Sequence, residues 1–188
     1  MAYTYGTPEW EEAWKKMTKD AMASQRKPLI FFSPEWIGMW EKLLQGDSKY
    51  KEVAKDWEGS VVLHLQAKPE FGVDRDIYVH MDLWHGDCRA IRVVPTEAGK
   101  KGNFVISGTI ERWVLVGKKQ LDPVKGMMQG KLKLKGDLPT IVRAVKAALR
   151  LVETAGEVGG KFPGELNPEE TTMFRKIIND LCAEFSIT

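Results

Sequence analysis

The chain has 188 residues, of which 43% are hydrophobic and 29% charged, a composition typical of a globular domain and not of a disordered or membrane-embedded chain. Its formal net charge of +2 is too small to indicate a nucleic-acid-binding face, and its two cysteines make neither a disulfide framework nor a zinc site. No apolar run approaches the roughly 18 residues that span a bilayer, and the N-terminus lacks the features of a secretory signal, so we expect a cytoplasmic protein.

Four helices are expected to begin at the same kind of signal, a capping side chain followed by a proline. The capping oxygen can accept a hydrogen bond from the first helical turn, and proline lacks an N–H that would have no partner there. The four starts are Thr7-Pro8, Ser33-Pro34, Asp122-Pro123 and Asn167-Pro168. A further helix is expected to begin near Asp47 and to end at Gly59.

After Gly59 the spacing of apolar residues changes from three or four to two, which indicates strands. Two expected strands, Ile77–Trp84 and Cys88–Val94, are separated only by the turn His85–Gly86–Asp87, so they should pair as a hairpin. A helix is expected to follow from Ser107 or Thr109. The expected strands are Val61–Gln66, Ile77–Trp84, Cys88–Val94 and Phe104–Ile106.

The stretch Leu121–Val152 predicts a short helix, a strand and a long helix. In GKLKLKG, residues 130–136, leucines alternate with lysines, so one face of the strand is apolar. Asp137 can cap the helix that follows, whose apolar residues recur as one stripe as far as Val152. Flexible methionines, Met127 and Met128, precede the strand and suit an irregular apolar space. The stretch therefore indicates one wall of a hydrophobic compartment.

The chain ends with a glycine-rich break, Gly156–Gly164, and a last amphipathic helix whose apolar face includes Phe174, Ile178 and Leu181. The order of helices, antiparallel strands, helix, strand and helix favours a single α+β domain with helices packed on one face of a sheet.

Two groups of polar residues could carry chemistry. His80, Asp82 and His85 could form a zinc or iron site, although a polar strand face followed by a turn is the simpler interpretation. Lys131, Lys133 and Lys135 could contact an anionic membrane or a coenzyme A phosphate, but they could also protect the wet face of an edge strand, which we favour. No catalytic motif is present, so we expect neither an enzyme nor a cofactor or bound metal.

The segment Phe104–Ala155, with GMMQGKLKLKGDL at its centre, resembles the lipid-binding domain of the sterol carrier protein family. The resemblance continues upstream through YKEVAKDWEG, residues 50–59, and the turn Gly86–Asp87–Cys88. It covers residues 33–155 as a lipid-binding core. Residues 1–32 are then an N-terminal helical extension, and residues 156–188 hold the glycine-rich break and the C-terminal helix.

The resemblance implies a twisted, mostly antiparallel five-stranded sheet with helices on one face, enclosing an apolar tunnel. It also implies binding of a fatty acid, fatty acyl-CoA, sterol or similar lipid without catalysis. The residues expected to line the tunnel, taken from the resembling segment, are Trp113, Met127, Met128, Ile141, Val145 and Leu149. Because the last helix follows a flexible break, we hypothesise that Phe174, Ile178 and Leu181 belong to a lid over the tunnel mouth.

Three functions follow from these observations. A lipid carrier, with transient contact to a membrane, is favoured. An accessory protein that presents a quinone-like or acyl-CoA intermediate to a partner enzyme is the alternative. A small metal-dependent enzyme that uses His80, Asp82 and His85 is the third.

Overall fold

The computed structural model describes residues 2–188, which form nine α-helices and one sheet. The four cap-and-proline signals are confirmed, since Thr7, Ser33, Asp122 and Asn167 each accept a hydrogen bond from the first turn of a helix. The helices are α1 (Pro8–Ala23), α2 (Pro34–Gly46), α3 (Ser48–Val53), α4 (Thr96–Lys100), α5 (Ile110–Gly117), α6 (Pro123–Met128), α7 (Leu138–Arg143), α8 (Val145–Val158) and α9 (Pro168–Glu184).

The sheet has five strands in the order β3-β2-β1-β4-β5. Strands β1 and β4 are parallel and the other neighbours antiparallel, so the prediction of a mostly antiparallel five-stranded sheet is confirmed. The expected β2–β3 hairpin is also confirmed. The strands are β1 (Val61–Leu65), β2 (Ile77–Trp84), β3 (Asp87–Val94), β4 (Phe104–Gly108) and β5 (Lys133–Lys135).

Two helices end earlier than the sequence pattern predicts. Helix α3 ends at Val53 and not at Gly59, because Ala54 leaves helical geometry (φ −107°, ψ 11°) and a tight turn follows. The helix that Asp137 caps is interrupted at Ala144 (φ −101°, ψ 25°) and resumes as α8.

The main core lies between one face of the sheet and helices α2, α5 and α8. Alternate strand residues such as Val61 and Met81 enter it. A smaller cluster lies on the opposite face around Val62 and Tyr78, where Ala98 of α4 packs against it. Helix α4, which the pattern did not predict, is therefore the element that covers part of the second face.

Phe185, directly after α9, packs against α1 at one side of the domain. The indole N–H of Trp10 donates to the carbonyl of Phe185 at 3.1 Å, and the rings of Trp10 and Trp14 stack with centroids 5.3 Å apart. Cys88 and Cys182 are both buried and unpaired. Within residues 2–188, no helix combines the length and the hydrophobicity that crossing a bilayer requires.

Candidate ligand-binding cavity

An apolar cavity of about 110 Å³ lies between the sheet and the helices that cover it. Its floor is formed by alternate residues of the three central strands, and its roof by α2, α5 and α8. None of its lining residues carries a charged side chain. They are Phe31, Phe32, Trp36, Trp40, Tyr50, Trp57, Val61, Leu63, Met81, Leu83, Ile106, Trp113, Val116, Gly117, Pro123, Met127, Ile141, Ala144, Ala147, Ala148, Leu151, Val152, Ala155 and Phe162.

Small residues on α8 account for the empty space. Ala147, Ala148 and Ala155 lie on the face of α8 that turns toward the sheet, and Ala144 precedes them at the helix start. Larger side chains at these positions would extend toward the strands and fill the gap, as cores are normally packed without voids of this size. The cavity therefore results from alanines at positions where a closed core would carry leucine or valine.

Four tryptophans line the cavity, and each uses its indole N–H inside the protein. Their rings therefore present only apolar surface to the cavity. The donor–acceptor pairs are Trp36 to the carbonyl of Gly159 at 3.1 Å, Trp40 to Oγ1 of Thr154 at 3.1 Å, Trp57 to the carbonyl of Gly59 at 2.8 Å and Trp113 to the carbonyl of His64 at 3.1 Å.

Stacked phenylalanines close one end of the cavity. The rings of Phe31 and Phe162 are 4.1 Å apart and nearly parallel. Their backbones are joined as well, since the N–H of Phe31 donates to the carbonyl of Lys161 at 3.0 Å. Phe32, which also lines the cavity, has φ +73°, a left-handed conformation that costs a bulky residue energy and that the surrounding packing must hold in place.

A buried ion network fixes α8 to α3, which carries Tyr50 of the cavity wall. Arg150 donates to both carboxylate oxygens of Asp47, from Nε at 2.8 Å and from Nη2 at 2.7 Å. Asp47 in turn caps α3 by accepting from the N–H of Tyr50 at 2.8 Å. The hydrogen bonds from Arg150 hold the pKa of Asp47 below its usual value. One guanidinium therefore stabilises both the helix start and the contact between two walls.

Trp113, Met127 and Ile141, three of the six residues expected to line a tunnel, lie in the wall of this cavity. The other three do not: Met128 is 63% exposed, Leu149 is 37% exposed, and Val145 is half-buried away from the cavity. The lining face of α8 is instead centred on Ala148 and Leu151, one residue before the expected Leu149 and Val152, of which only Val152 also reaches the cavity.

Sequence reasoning did not assign Phe31, Phe32, Tyr50, Trp57 or Phe162 to the cavity. The alanines of α8 were the signal that could have indicated it, because several small residues on one face of a helix are unusual for a core-facing stripe. The phenylalanines gave no such signal, because they reach the cavity only through a contact between two distant segments.

The expected lid is not placed over the cavity. Phe174, Ile178 and Leu181 are all buried, but none of them lines it. Helix α9 instead packs against α1 and the connection between β1 and β2, where Arg175 donates to the Asp74 carboxylate at 3.1 Å. The apolar face of α9 is therefore part of the main core outside the cavity wall.

The hypothesis of a metal site at His80, Asp82 and His85 is wrong. Among residues 2–188, no three His, Cys, Asp or Glu side chains lie close enough together to hold a metal ion. The turn directs His85 to Glu58, with Nε2 and Oε1 2.8 Å apart, while Asp82 faces Arg89 at 4.0 Å. His80 is half-buried on its strand, and desolvation there lowers its pKa.

The lysine-bearing strand β5 lies at the edge of the sheet, where it pairs only with β4. Lys131, Lys133 and Lys135 are exposed, and none of them lines the cavity. This placement agrees with lysines that protect an edge strand from pairing with another chain.

Comparison with known proteins gives one family. The model of the SCP-2 sterol transfer family matches residues 40–149. A crystal structure of sterol carrier protein 2 is 33% identical, covers 65% of this chain and 95% of its own, and superposes with a TM-score of 0.60. The solution structure of a conserved hypothetical protein from Thermus thermophilus, described as possibly a sterol carrier protein, is 32% identical, covers 70% of this chain and 91% of its own, and has a TM-score of 0.64. A search of curated proteins found no match.

Proposed function

Because the chain belongs to the SCP-2 sterol transfer family, we propose that it binds a long apolar molecule in the cavity and carries it without chemical change. The observation that carries this proposal is the lining, which is apolar, without charge and not completely filled. Burial of about 16 methylenes at roughly 0.8 kcal/mol each is worth on the order of 13 kcal/mol before the costs of ordering. Binding of this kind needs apolar volume more than polar geometry.

The volume of the cavity limits the size of the ligand that fits without movement of the walls. Its volume of about 110 Å³ is close to that of apolar cavities of roughly 150 Å³ that accept benzene in another protein. It is smaller than the roughly 300–1,000 Å³ of sites for larger ligands. A fatty acid, fatty acyl-CoA or sterol therefore requires the walls to move apart. At one end of the cavity the wall is formed by Phe31 and Phe162, which both lie in segments outside the helices and strands.

Native mass spectrometry of the full chain, purified without added lipid, tests the proposal. We expect a co-purifying acyl, sterol or isoprenoid mass in stoichiometric amount. After extraction, a pyrene-labelled fatty alcohol should rebind and quench the fluorescence of the cavity tryptophans. If the purified protein contains no lipid and the extracted protein does not bind this probe, the proposal is refuted.

An accessory role is the second candidate, favoured by a cleft of about 540 Å³ between α1, α9 and the start of α2. This cleft lies outside residues 40–149 and has charged walls that include Lys16, Glu35 and Asp180. In this role the cavity would present its ligand to a partner enzyme held at the cleft. A stable complex with an enzyme that acts on the co-purifying molecule, lost in Lys16→Glu/Asp180→Lys but kept in Lys133→Glu, would favour this role over a free carrier.

A further inference from the structure

Ser107, His64 and Asp76 are joined by two hydrogen bonds on the face of the sheet opposite to the cavity. The Oγ atom of Ser107 lies 2.8 Å from Nδ1 of His64, and Nε2 of His64 lies 2.8 Å from Oδ2 of Asp76. His64 and Ser107 are register partners on the parallel strands β1 and β4, and Asp76 directly precedes β2. None of the three lines the cavity. Because they lie far apart in the sequence, no motif of fixed spacing marks them.

The imidazole ring of His64 is held in place from two sides. Its ring stacks on that of Tyr78, with centroids 4.2 Å apart and planes 6° from parallel. The carboxylate of Asp76 is also fixed, since its other oxygen, Oδ1, accepts the N–H of Ala67 at 2.9 Å. The hydroxyl of Ser107 therefore faces a ring of defined orientation.

The direction of the two hydrogen bonds follows from the groups that make them. Hydrogen bonds from Ala67 and His64 outweigh desolvation and hold the pKa of Asp76 below its usual value, so this carboxylate is ionised and only accepts. In a neutral imidazole, Nε2 then donates to Asp76, and Nδ1 accepts from the hydroxyl of Ser107. A hydroxyl, a base that can take its proton and a carboxylate that orients the base are the groups that acyl transfer requires.

The three residues can be reached from solvent, and a positive charge lies beside them. The side chains of His64 and Asp76 are 13% and 46% exposed, and Ser107 is half-buried. Lys133 of β5 is exposed and directly opposite Ser107 in the antiparallel register, so both side chains point to the same face with Cβ atoms roughly 5 Å apart. An ammonium group there can stabilise negative charge that develops on a carbonyl oxygen during attack by Ser107.

From this geometry we propose that Ser107 and His64 are catalytic residues of a second site, which hydrolyses short-chain carboxylic esters. Oγ of Ser107 bonds to the ester carbonyl carbon and gives its proton to Nδ1 of His64. The bond from that carbon to the alkoxy oxygen breaks, and the alcohol leaves with the proton from His64. Water then attacks the acyl-serine by the same route, which releases the carboxylic acid and restores Ser107.

Asp76 acts through His64 and is a positioning residue. The proposal goes beyond the proposed function, because the site does not share a residue with the cavity.

Turnover of p-nitrophenyl acetate by the full chain tests the proposal. Ser107→Ala and His64→Gln should each lower kcat/KM by about 10²–10⁴-fold, the usual contribution of a positioned base. Mass spectrometry of protein quenched during turnover should find one acetyl group on Ser107. Ser60→Ala is the matched control, since Ser60 directly precedes β1 and bonds to Asn103 at 3.1 Å, and it should keep the wild-type rate.

The role of Asp76 is tested by Asp76→Asn. Turnover should fall about tenfold or more, because the ring is no longer held with its proton on Nε2. Nitrogen-15 NMR should show that this tautomer of His64 is favoured in the wild type and is not favoured in the variant. An unchanged tautomer together with unchanged turnover would refute the positioning role.

Two results would overturn the proposed site. One is turnover by the wild type that does not exceed turnover by Ser107→Ala, and the other is acetyl groups on lysines alone. Ser107→Ala should still bind the pyrene-labelled fatty alcohol, so failure of this site and failure of the carrier function are distinguishable.

A measurement on the wild type alone covers the case in which the variants do not fold. An alkyl fluorophosphonate should form a bond from its phosphorus to Oγ of Ser107 with loss of fluoride, in the native chain and not in urea. Peptide mapping locates the label. Absence of label at Ser107 in the native chain would refute the proposal.

Discussion

Enlarging Ala148 to leucine should stabilise the protein while it blocks the cavity. Ala148 lies on α8 with its side chain in the cavity wall. An unfilled volume of about 110 Å³ costs about 2.6 kcal/mol at roughly 24 cal/mol per Å³. Leucine adds three carbon atoms, whose burial at roughly 0.8 kcal/mol each is worth about 2.4 kcal/mol. The two estimates agree because the added side chain and the void are of similar size.

The net gain should be smaller than either estimate. Fixing a leucine side chain costs about 0.5–1 kcal/mol of rotamer entropy. We therefore expect the free energy of unfolding to rise by about 1–2 kcal/mol. For a chain of this length this corresponds to an increase in Tm of roughly 2–8 °C. Binding of the pyrene-labelled alcohol should weaken at least tenfold.

Chemical denaturation and probe titration of the same variant check the two effects. Ala183→Leu is the control, since Ala183 is exposed on α9 and should change neither quantity by much. Loss of stability in Ala148→Leu would mean that the void cannot accept three more carbons. Unchanged binding would mean that the ligand lies elsewhere. Stabilisation together with lost binding is the outcome that a functional cavity predicts.

Two further variants test the ion network and the closed end of the cavity. Asp47→Asn should cost about 1–3 kcal/mol at pH 7, because Arg150 loses a charged acceptor. The pKa of Asp47 is lowered in the folded state, so its contribution to the free energy of unfolding is complete above about pH 4 and is lost as the pH falls further. When denaturation is followed against pH, Asp47→Asn should therefore lose less stability than the wild type in that acidic range. Phe162→Ala removes the ring stacked on Phe31 and should shift the preferred alcohol probe toward longer chains, whereas Phe71→Ala, outside the cavity, should lower stability without changing chain-length preference.

The helix starts could be predicted from the sequence because their signals are local. A capping side chain and the adjacent proline act within one turn, as at Ser33 and Asn167, and the rest of the chain does not alter them. The strands were predictable for a related reason, since alternation in Ile77–Trp84 reflects one buried face of a sheet. Hairpin pairing followed from the short turn at residues 85–87.

The cavity lining could be predicted only in part, because it depends on helix phase and on contacts between distant segments. The apolar stripe of the sequence includes Val145 and Leu149, whereas the face of α8 that lines the cavity includes Ala148 and Leu151. Apolar periodicity is dominated by the larger side chains, so it did not identify the alanine-bearing face. The position of α9 was not predictable either. The apolar face of α9 showed that the helix had to cover something, but its partner, α1, could be identified only from the fold.

The residues outside the family match change the site itself. The aromatic end of the cavity is built by Phe31 and Phe162, which lie before and after residues 40–149. The backbone on either side of these rings is paired, with Lys161 donating its N–H to the carbonyl of Leu29 at 2.8 Å. A domain reduced to the matched residues would lack this wall and enclose a different space. The ligand preference of relatives that share only the matched segment should therefore differ from that of this chain most at the end where the two phenylalanines stack.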